Sequence, residues 1–409
     1  MARYRLLAGL LLAGGTVFHL LYIASGIIDL APDEAHYWEW SRRLDWSYYS
    51  KGPMVAYLIA VSTRLGGNTE FFVRLPAVLL ALGTGLVVYF LTRRLFQSDR
   101  AAFLAVLTLV LIPMYSAGSV LMTIDAPLVF FWALGSLAFW NASESRNSIR
   151  WWIILGLALG LGLLSKYTMA LFVPCALFYL WRRSNRTAPL DAKGPYAAGS
   201  IALLLFVPVI VWNAQHQWVS LRHVIGQAGL AGEVGYPSAR TFFEFLGSQF
   251  GVVSPLLFLA LVLGGIRSFR PRVAGKDDRL LFLGLFAVPV LAFFLLWSVC
   301  SKVQANWAAP AYLTASVALA GWCESVTDRR RAALILSLLL LPAVFIVSIL
   351  HFPVVLDRLG VDLPPRLDIT RRLHGWKELG SAVEALLQGP ENRNVFVLSD
   401  TYQIASEMA

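Results

Sequence analysis

Charge is scarce in this sequence. Asp, Glu, Lys and Arg together make up 14% of its 409 residues, where soluble globular domains carry roughly a quarter. With 58% hydrophobic residues, a water-soluble body would have to hide more apolar surface than one core holds, since cores stop growing at about 250–300 residues. That excludes a soluble protein and calls for a bilayer. Cysteine is rarer still. Cys175, Cys300 and Cys323 are odd in number and none forms a C-x-x-C pair, which leaves neither a disulfide framework nor a zinc site, so they read as packing residues. Acids are the minority charge, 24 against 34 bases, for a net charge of +10. Such an excess raises nucleic acid as a partner. The bases, however, lie in short clusters between apolar runs rather than on one domain, the pattern that orients membrane proteins. No repeat of fixed period is visible.

What is present is a series of apolar runs near the length of about 20 residues needed to cross a hydrocarbon core. They cover 6–28, 72–92, 101–119, 124–140, 152–164, 168–181, 196–213, 245–266, 280–299, 306–322 and 333–351. The first follows a basic start, as in a signal peptide, but it has span length and no small-residue cleavage site follows, so it reads as a retained helix. With a cytoplasmic N-terminus, the inner loops hold about twice as many Lys and Arg as the outer ones, Arg74 counted with the outer. Merging 152–164 with 168–181 would reverse every later loop and put Arg182-Arg183 and Arg329-Arg330-Arg331 outside. Two short segments are therefore expected, with Ser165-Lys166-Tyr167 at the outer face. The expected fold is an all-α polytopic membrane protein of about eleven transmembrane helices, with interfacial helices in the first outer loop. Residues 1–351 form the membrane domain and 352–409 an exoplasmic segment. In that segment 374–388 has helical spacing and Val395-Phe-Val-Leu398 reads as a strand, the truncated start of a small α/β domain.

Polar residues retained at the membrane are functional candidates by default, and the unusual ones fall on the outer side. In the loop Ile28–Pro53, Pro32 suits a first helical turn, and a helix to about Leu44 would lie along the interface with Trp38 and Trp40 at headgroup level. Asp33 and Glu34 would occupy its first turn, where the helix dipole favours ionised carboxylates. An ionised carboxylate at that level suits a general base; the bland reading is a pair of ordinary first-turn acids. Lys51, Lys166 and Lys302, one per outer loop, read singly as snorkelling residues. Together, on the side that should be poor in them, they suit a phosphate held at the headgroup level. Asp125 opens the fourth span, as an N-cap-like residue before Pro127 or as one more of the unusual charges gathered at the outer ends of the spans. His216 and His223 lie seven residues apart with no carboxylate or cysteine nearby, and read as polar loop residues rather than metal ligands. Asn306 and Trp307 open the tenth span, where an amide and an aromatic face suit a sugar as well as a helix start.

Seven short motifs carry a resemblance. They are Asp33-Glu34, Tyr49-Ser-Lys-Gly-Pro-Met54, Arg74-Leu-Pro76, Thr123-Ile-Asp-Ala-Pro127, Ser165-Lys-Tyr167, Trp212-Asn213 and Asn306-Trp-Ala-Ala-Pro310. In this order and on one side of the membrane, they resemble the membrane glycosyltransferases of the C-type fold. Within these they resemble the bacterial branch related to protein O-mannosyltransferases and to the aminoarabinose transferase of lipid A. The tail motifs Leu373-His-Gly-Trp-Lys-Glu-Leu379 and Ser399-Asp-Thr-Tyr402 look like the same branch.

The resemblance implies a polyprenyl-phosphate sugar donor and an acceptor hydroxyl on a lipid such as lipid A, a glycan or a protein. It implies an inverting displacement at the exoplasmic face of a bacterial inner membrane. Asp33 would take the acceptor's proton and Glu34 would assist. Lys51 would neutralise the leaving phosphate, with Arg74, Lys166 and Lys302 as helpers, and Tyr49, Asp125, Tyr167, Asn306 and Trp307 would line the substrate site. Some relatives carry an acid before the Lys-x-Pro unit, linked to the metal or acceptor site; here it is Ser50, which leaves a divalent metal possible but unsupported, and no other cofactor is implied. The rival class is a secondary transporter, which would place its charges near the midplane with paired repeats of broken helices.

Overall fold

The computed structural model describes residues 2–145, 149–184, 193–227, 237–269, 278–353, 360, 371–388, 399 and 401–408. Its helices run α1 Ala2–Ala24, α2 Pro32–Arg42, α3 Met54–Gly66, α4 Glu70–Phe96, α5 Asp99–Val110, α6 Pro113–Gly118, α7 Asp125–Glu144, α8 Ile149–Ser165, α9 Phe172–Ser184, α10 Lys193–Gln215, α11 Val219–Gln227, α12 Ala239–Val253, α13 Pro255–Arg267, α14 Asp278–Trp297, α15 Ala309–Ser325, α16 Arg329–His351, α17 Trp376–Leu387 and α18 Tyr402–Glu407. No strand occurs among the described residues, and the expected strand at 395–398 lies outside them.

All eleven apolar runs contain helix, and the first-loop helix starts at Pro32 as its sequence requires. Six helices (α1, α4, α7, α10, α14 and α16) are long and apolar enough to cross a membrane. Two of the eleven runs are not continuous, which corrects the sequence reading. The run 101–119 breaks at Leu111–Ile112, because Pro113 can open a helix but not continue one. The run 245–266 bends by 105° between α12 and α13. There Ser254 has φ +90° and precedes Pro255, whose ring keeps the residue before it out of the helical region. The chain also breaks between α8 and α9, at Lys166, as the charge pattern of its loops demanded.

The bundle is tied at both ends. At one end, Asp99 at the start of α5 meets Arg5 of α1 at 3.5 Å and Arg93 of α4 at 3.0 Å, and Arg100 meets Glu324 of α15 at 3.2 Å. At that same end Arg183 of α9 binds Glu144 of α7 at 2.7 Å and Asp278 of α14 at 3.4 Å. The opposite end carries the first loop, Asp125 and Lys166. Between the ends the core is aromatic. Phe172 of α9 stacks edge-on to Trp132 of α7 at 5.2 Å and to Phe286 of α14 at 4.7 Å.

The α8–α10 pair packs through small residues, as helices do where lipid removes the hydrophobic drive for association. A Cβ on Gly156 would lie 2.7 Å from the Ala198 carbonyl oxygen, and one on Gly160 would lie 2.8 Å from Leu205 Cβ. Gly199, by contrast, faces open space. Gly156→Leu should therefore destabilise the protein by about 1–3 kcal/mol through overpacking, read as a lower melting temperature in detergent, while Gly199→Ala leaves it unchanged.

Candidate active site

The first loop is organised by a buried ion pair. Glu34 has no exposed surface and Arg74 is 1% exposed. Arg74 donates to Glu34 through Nη2 at 2.8 Å and through Nε at 3.1 Å. Its remaining donors go to the Ile28 carbonyl at 3.0 Å and the Asp29 carbonyl. Glu34 also accepts from the Ala31 N–H at 2.9 Å and the Met122 N–H at 2.7 Å. One pair thus joins the end of α1, the start of α2, α4 and the strap before α7. Arg74 points into this buried knot and does not line the cavity beside Lys51. Asp33, the next residue along the turn, faces outward and makes no hydrogen bond or ion pair among the described residues.

A second knot lies beside it. The Asp125 carboxylate, in the first turn of α7, accepts from Lys166 Nζ at 2.7 Å and from Asn306 Nδ2 at 2.6 Å. Three motifs 41 and 181 residues apart in sequence are joined by one side chain, and the break after α8 is what lets Lys166 reach it. Lys51 donates to Gln227 of α11 at 3.1 Å. Burial and the neighbouring Lys166 cation hold the Lys51 amine below the usual lysine range, while Asp125 and Asp33 pull it back up. The buried Tyr37 phenol is pushed up by burial first, then by Asp33 and Asp125. Asp33, Lys51, Asp125 and Lys166 therefore share one electrostatic neighbourhood.

Beside this neighbourhood opens a cavity of about 290 Å³. Lys51 and Lys166 stand at its polar side, and Tyr167, Phe294, Trp297 and Trp307 form much of its apolar wall. The loop that brings Lys51 there is pressed onto the neighbouring helix. A Cβ on Gly52 would overlap the Leu164 backbone carbonyl, so only glycine fits. Tyr167 is held by a hydrogen bond with Ser220 at 3.3 Å, and Ser220 in turn donates to Asn213 at 2.8 Å.

The remaining expected residues separate. Tyr49 is 59% exposed at the rim, its ring 4.9 Å from that of His223. Lys302 is exposed and does not line the cavity. His216 stacks on Trp212 at 4.0 Å, turned to its own helix end. No group of three or more metal-type ligands occurs among the described residues. Sequence reasoning missed Gln227, Ser220 and the α14 aromatics, which carry no motif and gain their meaning only from the fold. It also missed how the C-terminal segment docks. Asp29 accepts from the Trp376 N–H at 3.0 Å and pairs with Lys377 at 3.3 Å. Ser406 of α18 donates to Glu39 at 3.0 Å and lies 3.1 Å from His36 Nδ1, both on α2.

With this geometry in place, the comparisons define a class. Residues 50–212 match the family described as dolichyl-phosphate-mannose-protein mannosyltransferase, and the bundle shares its fold with solved membrane transferase structures. The chain is a relative of these proteins, as its motifs indicated. It is 32% identical over 315 residues to the lipid A galacturonosyltransferase RgtD of Rhizobium johnstonii, covering 76% of this chain and 64% of the relative. It is 29% identical over 357 residues to the undecaprenyl phosphate-alpha-4-amino-4-deoxy-L-arabinose arabinosyl transferase of Edwardsiella ictaluri, covering 79% of this chain and 62% of that one. The chain thus spans under two thirds of the length of these curated relatives. The crystal structure of ArnT from Cupriavidus metallidurans bound to undecaprenyl phosphate superposes with a TM-score of 0.62 at 20% identity, over 98% of this chain and 73% of that one. The archaeal oligosaccharyltransferase AglB of Archaeoglobus fulgidus gives 0.59 at 13% identity, over 93% and 58%. At these identities the solved structures speak for the fold.

Two outcomes are expected. Arg74→Met leaves Glu34 buried without its partner and should cost about 3–5 kcal/mol, whereas Glu34→Gln combined with Arg74→Met recovers much of it; melting in detergent reads both. Glu407 of α18 is pushed up to about 8 by burial and by Glu34, Asp29 and Glu70, against Arg74. A carboxyl raised in the folded state binds its proton more tightly there. Docking of α18 should therefore weaken as pH rises from about 4.5 to about 8. Hydrogen exchange in 402–407 should follow that window, and Glu407→Gln should flatten it.

Proposed function

We propose that this protein is a membrane glycosyltransferase. It moves a sugar from a polyprenyl-phosphate donor to a hydroxyl of an acceptor lipid, glycan or protein. The observation that carries this reading is the cavity at one end of the helical bundle lined by two lysines and a wall of aromatic rings, with Asp125 bound to one of those lysines behind it and Asp33 in electrostatic reach of the other. Cations beside an aromatic, membrane-level hollow suit a phosphate whose sugar and lipid leave in different directions. Midplane charges, as a transporter would need, are not the pattern of this bundle.

In the proposed reaction the acceptor oxygen forms a bond to the anomeric carbon from the face opposite the phosphate. The bond from that carbon to the phosphate oxygen breaks, with inversion. Asp33, exposed and unpaired, takes the hydroxyl proton. The charge left on the phosphate is met by Lys51 and Lys166, the latter aimed by Asp125. Asn306, Trp307 and Tyr167 contact the sugar or the first lipid carbons, with Tyr49 at the entrance. Glu34 and Arg74 fix α2 and with it the place of Asp33, and Lys302, exposed and off the cavity lining, takes no direct part. The relatives' names favour lipid A as acceptor and a uronic acid or aminopentose as the sugar. In this reading the eleven apolar runs each cross the membrane, with the N-terminus cytoplasmic and the site on the outer face of a bacterial inner membrane; the clustering of the Arg5, Arg93, Arg100 and Arg183 ion pairs at one end and of Asp125 and Lys166 at the other supports that sidedness.

In vesicles supplied with a polyprenyl-phosphate sugar, Asp33→Asn should lower transfer about 10²–10⁴-fold while leaving donor binding intact. Lys51→Met should weaken donor binding itself. Wild-type transfer by the Asp33→Asn variant would refute the base assignment. Unchanged donor affinity in the Lys51→Met variant would remove the phosphate site. Mass spectrometry of lipid A from cells with and without the protein tests the acceptor.

A further inference from the structure

The largest cavity described has no part in that chemistry. It lies at the end of the bundle opposite Asp33, between α13, α15 and α16, and measures about 770 Å³, within the range of about 300–1,000 Å³ typical of small-molecule sites. Its walls are Leu256, Leu259 and Leu263 on α13, Leu319 on α15 and Leu339 on α16. Its mouth carries Arg267, Ser268 and Arg279. From Leu256 to Arg267 helix α13 rises about 17 Å, roughly half the thickness of about 30 Å of a hydrocarbon core. The groove is therefore as deep as one leaflet, apolar along its length and cationic at the end where that leaflet meets water.

The sidedness of the charge is consistent with this. Glu324, the acid at the mouth, is already held by Arg100 at 3.2 Å. Arg279 lies over the Phe96 ring at 5.8 Å and donates to the Leu95 carbonyl at 3.3 Å, which fixes the guanidinium at the rim. Arg267 has no hydrogen bond or ion pair among the described residues. Trp322, at the same level, is the residue type that anchors at the headgroup boundary. The floor is shaped by glycines. A Cβ on Gly321 would overlap the Phe96 ring, while one on Gly264 would meet nothing within 4 Å, so the space above Gly264 is open groove.

We infer that this groove binds one anionic phospholipid of the cytoplasmic leaflet, its phosphate between Arg267 and Arg279 and one acyl chain along Leu263, Leu259 and Leu256. A basic rim over an apolar slot between helices recognises a lipid phosphate through charge and its tail through burial. The position, a bundle's length from Asp33, makes this lipid a bound structural partner and not the sugar donor.

The test is native mass spectrometry of the full chain released from vesicles of phosphatidylglycerol and phosphatidylcholine. The wild type should retain one phosphatidylglycerol in preference to phosphatidylcholine. Arg267→Gln and Arg279→Gln should each lower that retention about fivefold, the loss of about 1 kcal/mol per cation. Gly264→Leu, whose Cβ meets nothing within 4 Å and whose side chain extends into the groove, should abolish it while melting stays near the wild-type value in lipid-free detergent. Equal retention of both lipids by the wild type, or undiminished phosphatidylglycerol in the Gly264→Leu variant, would overturn the proposal. These readouts do not involve transfer of a sugar, so they stand or fall apart from the reading of the active site.

Discussion

The bond between Glu34 and Arg74 is the constraint on which the site depends. Two charges without solvent are stable only when every donor and acceptor is met, because desolvation costs several kcal/mol per ion. Here four backbone groups from two stretches of the chain, 28–31 and Met122, meet the pair, so satisfying it also fixes where those stretches lie against α4. The carboxylate that faces outward, Asp33, owes its direction to the neighbour that faces inward. Successive residues on a helix are about 100° apart, and with Glu34 and Ala35 on the buried side Asp33 lies on the exposed one. The adjacent acids read from the sequence as equals are in the structure a fastener and a free group.

The second knot works by the same physics with opposite emphasis. Asp125, Lys166 and Asn306 are partly buried and mutually satisfied, which gives Lys166 a fixed direction, while Lys51 is held by a single neutral acceptor. One cation is thus preorganised and the other is free to follow a ligand. In the proposed reaction, a site assembled this way would spend little reorganisation as negative charge develops beside it.

Much of this was legible in the sequence, and the parts that were not have physical reasons. Apolar runs gave the helices, Pro32 gave the start of α2, and loop charge forced the break at Lys166. Asp125 and Lys166 were recognised as odd residues, but nothing in their spacing says that they touch, because the contact arises from helices meeting at one end. Arg74 looked like one more cation on the outer side; its burial against Glu34 depends on the close packing of α4 under the first loop. The breaks at Pro113 and Ser254 were readable from proline placement and were hidden by the evenness of the hydropathy around them. Gln227 and the α14 aromatics had no local mark at all, since a loop glutamine and a phenylalanine in a span are each ordinary until the fold sets them around a hollow.

Gly52 sits with its α-carbon against the Leu164 carbonyl, one residue after Lys51 and two before Lys166 in their respective segments. Because only glycine allows this approach, the loop that carries Lys51 and the end of α8 that leads to Lys166 meet backbone to backbone. Whatever freedom remains between the two cations therefore lies in their side chains and not in the segments that bear them.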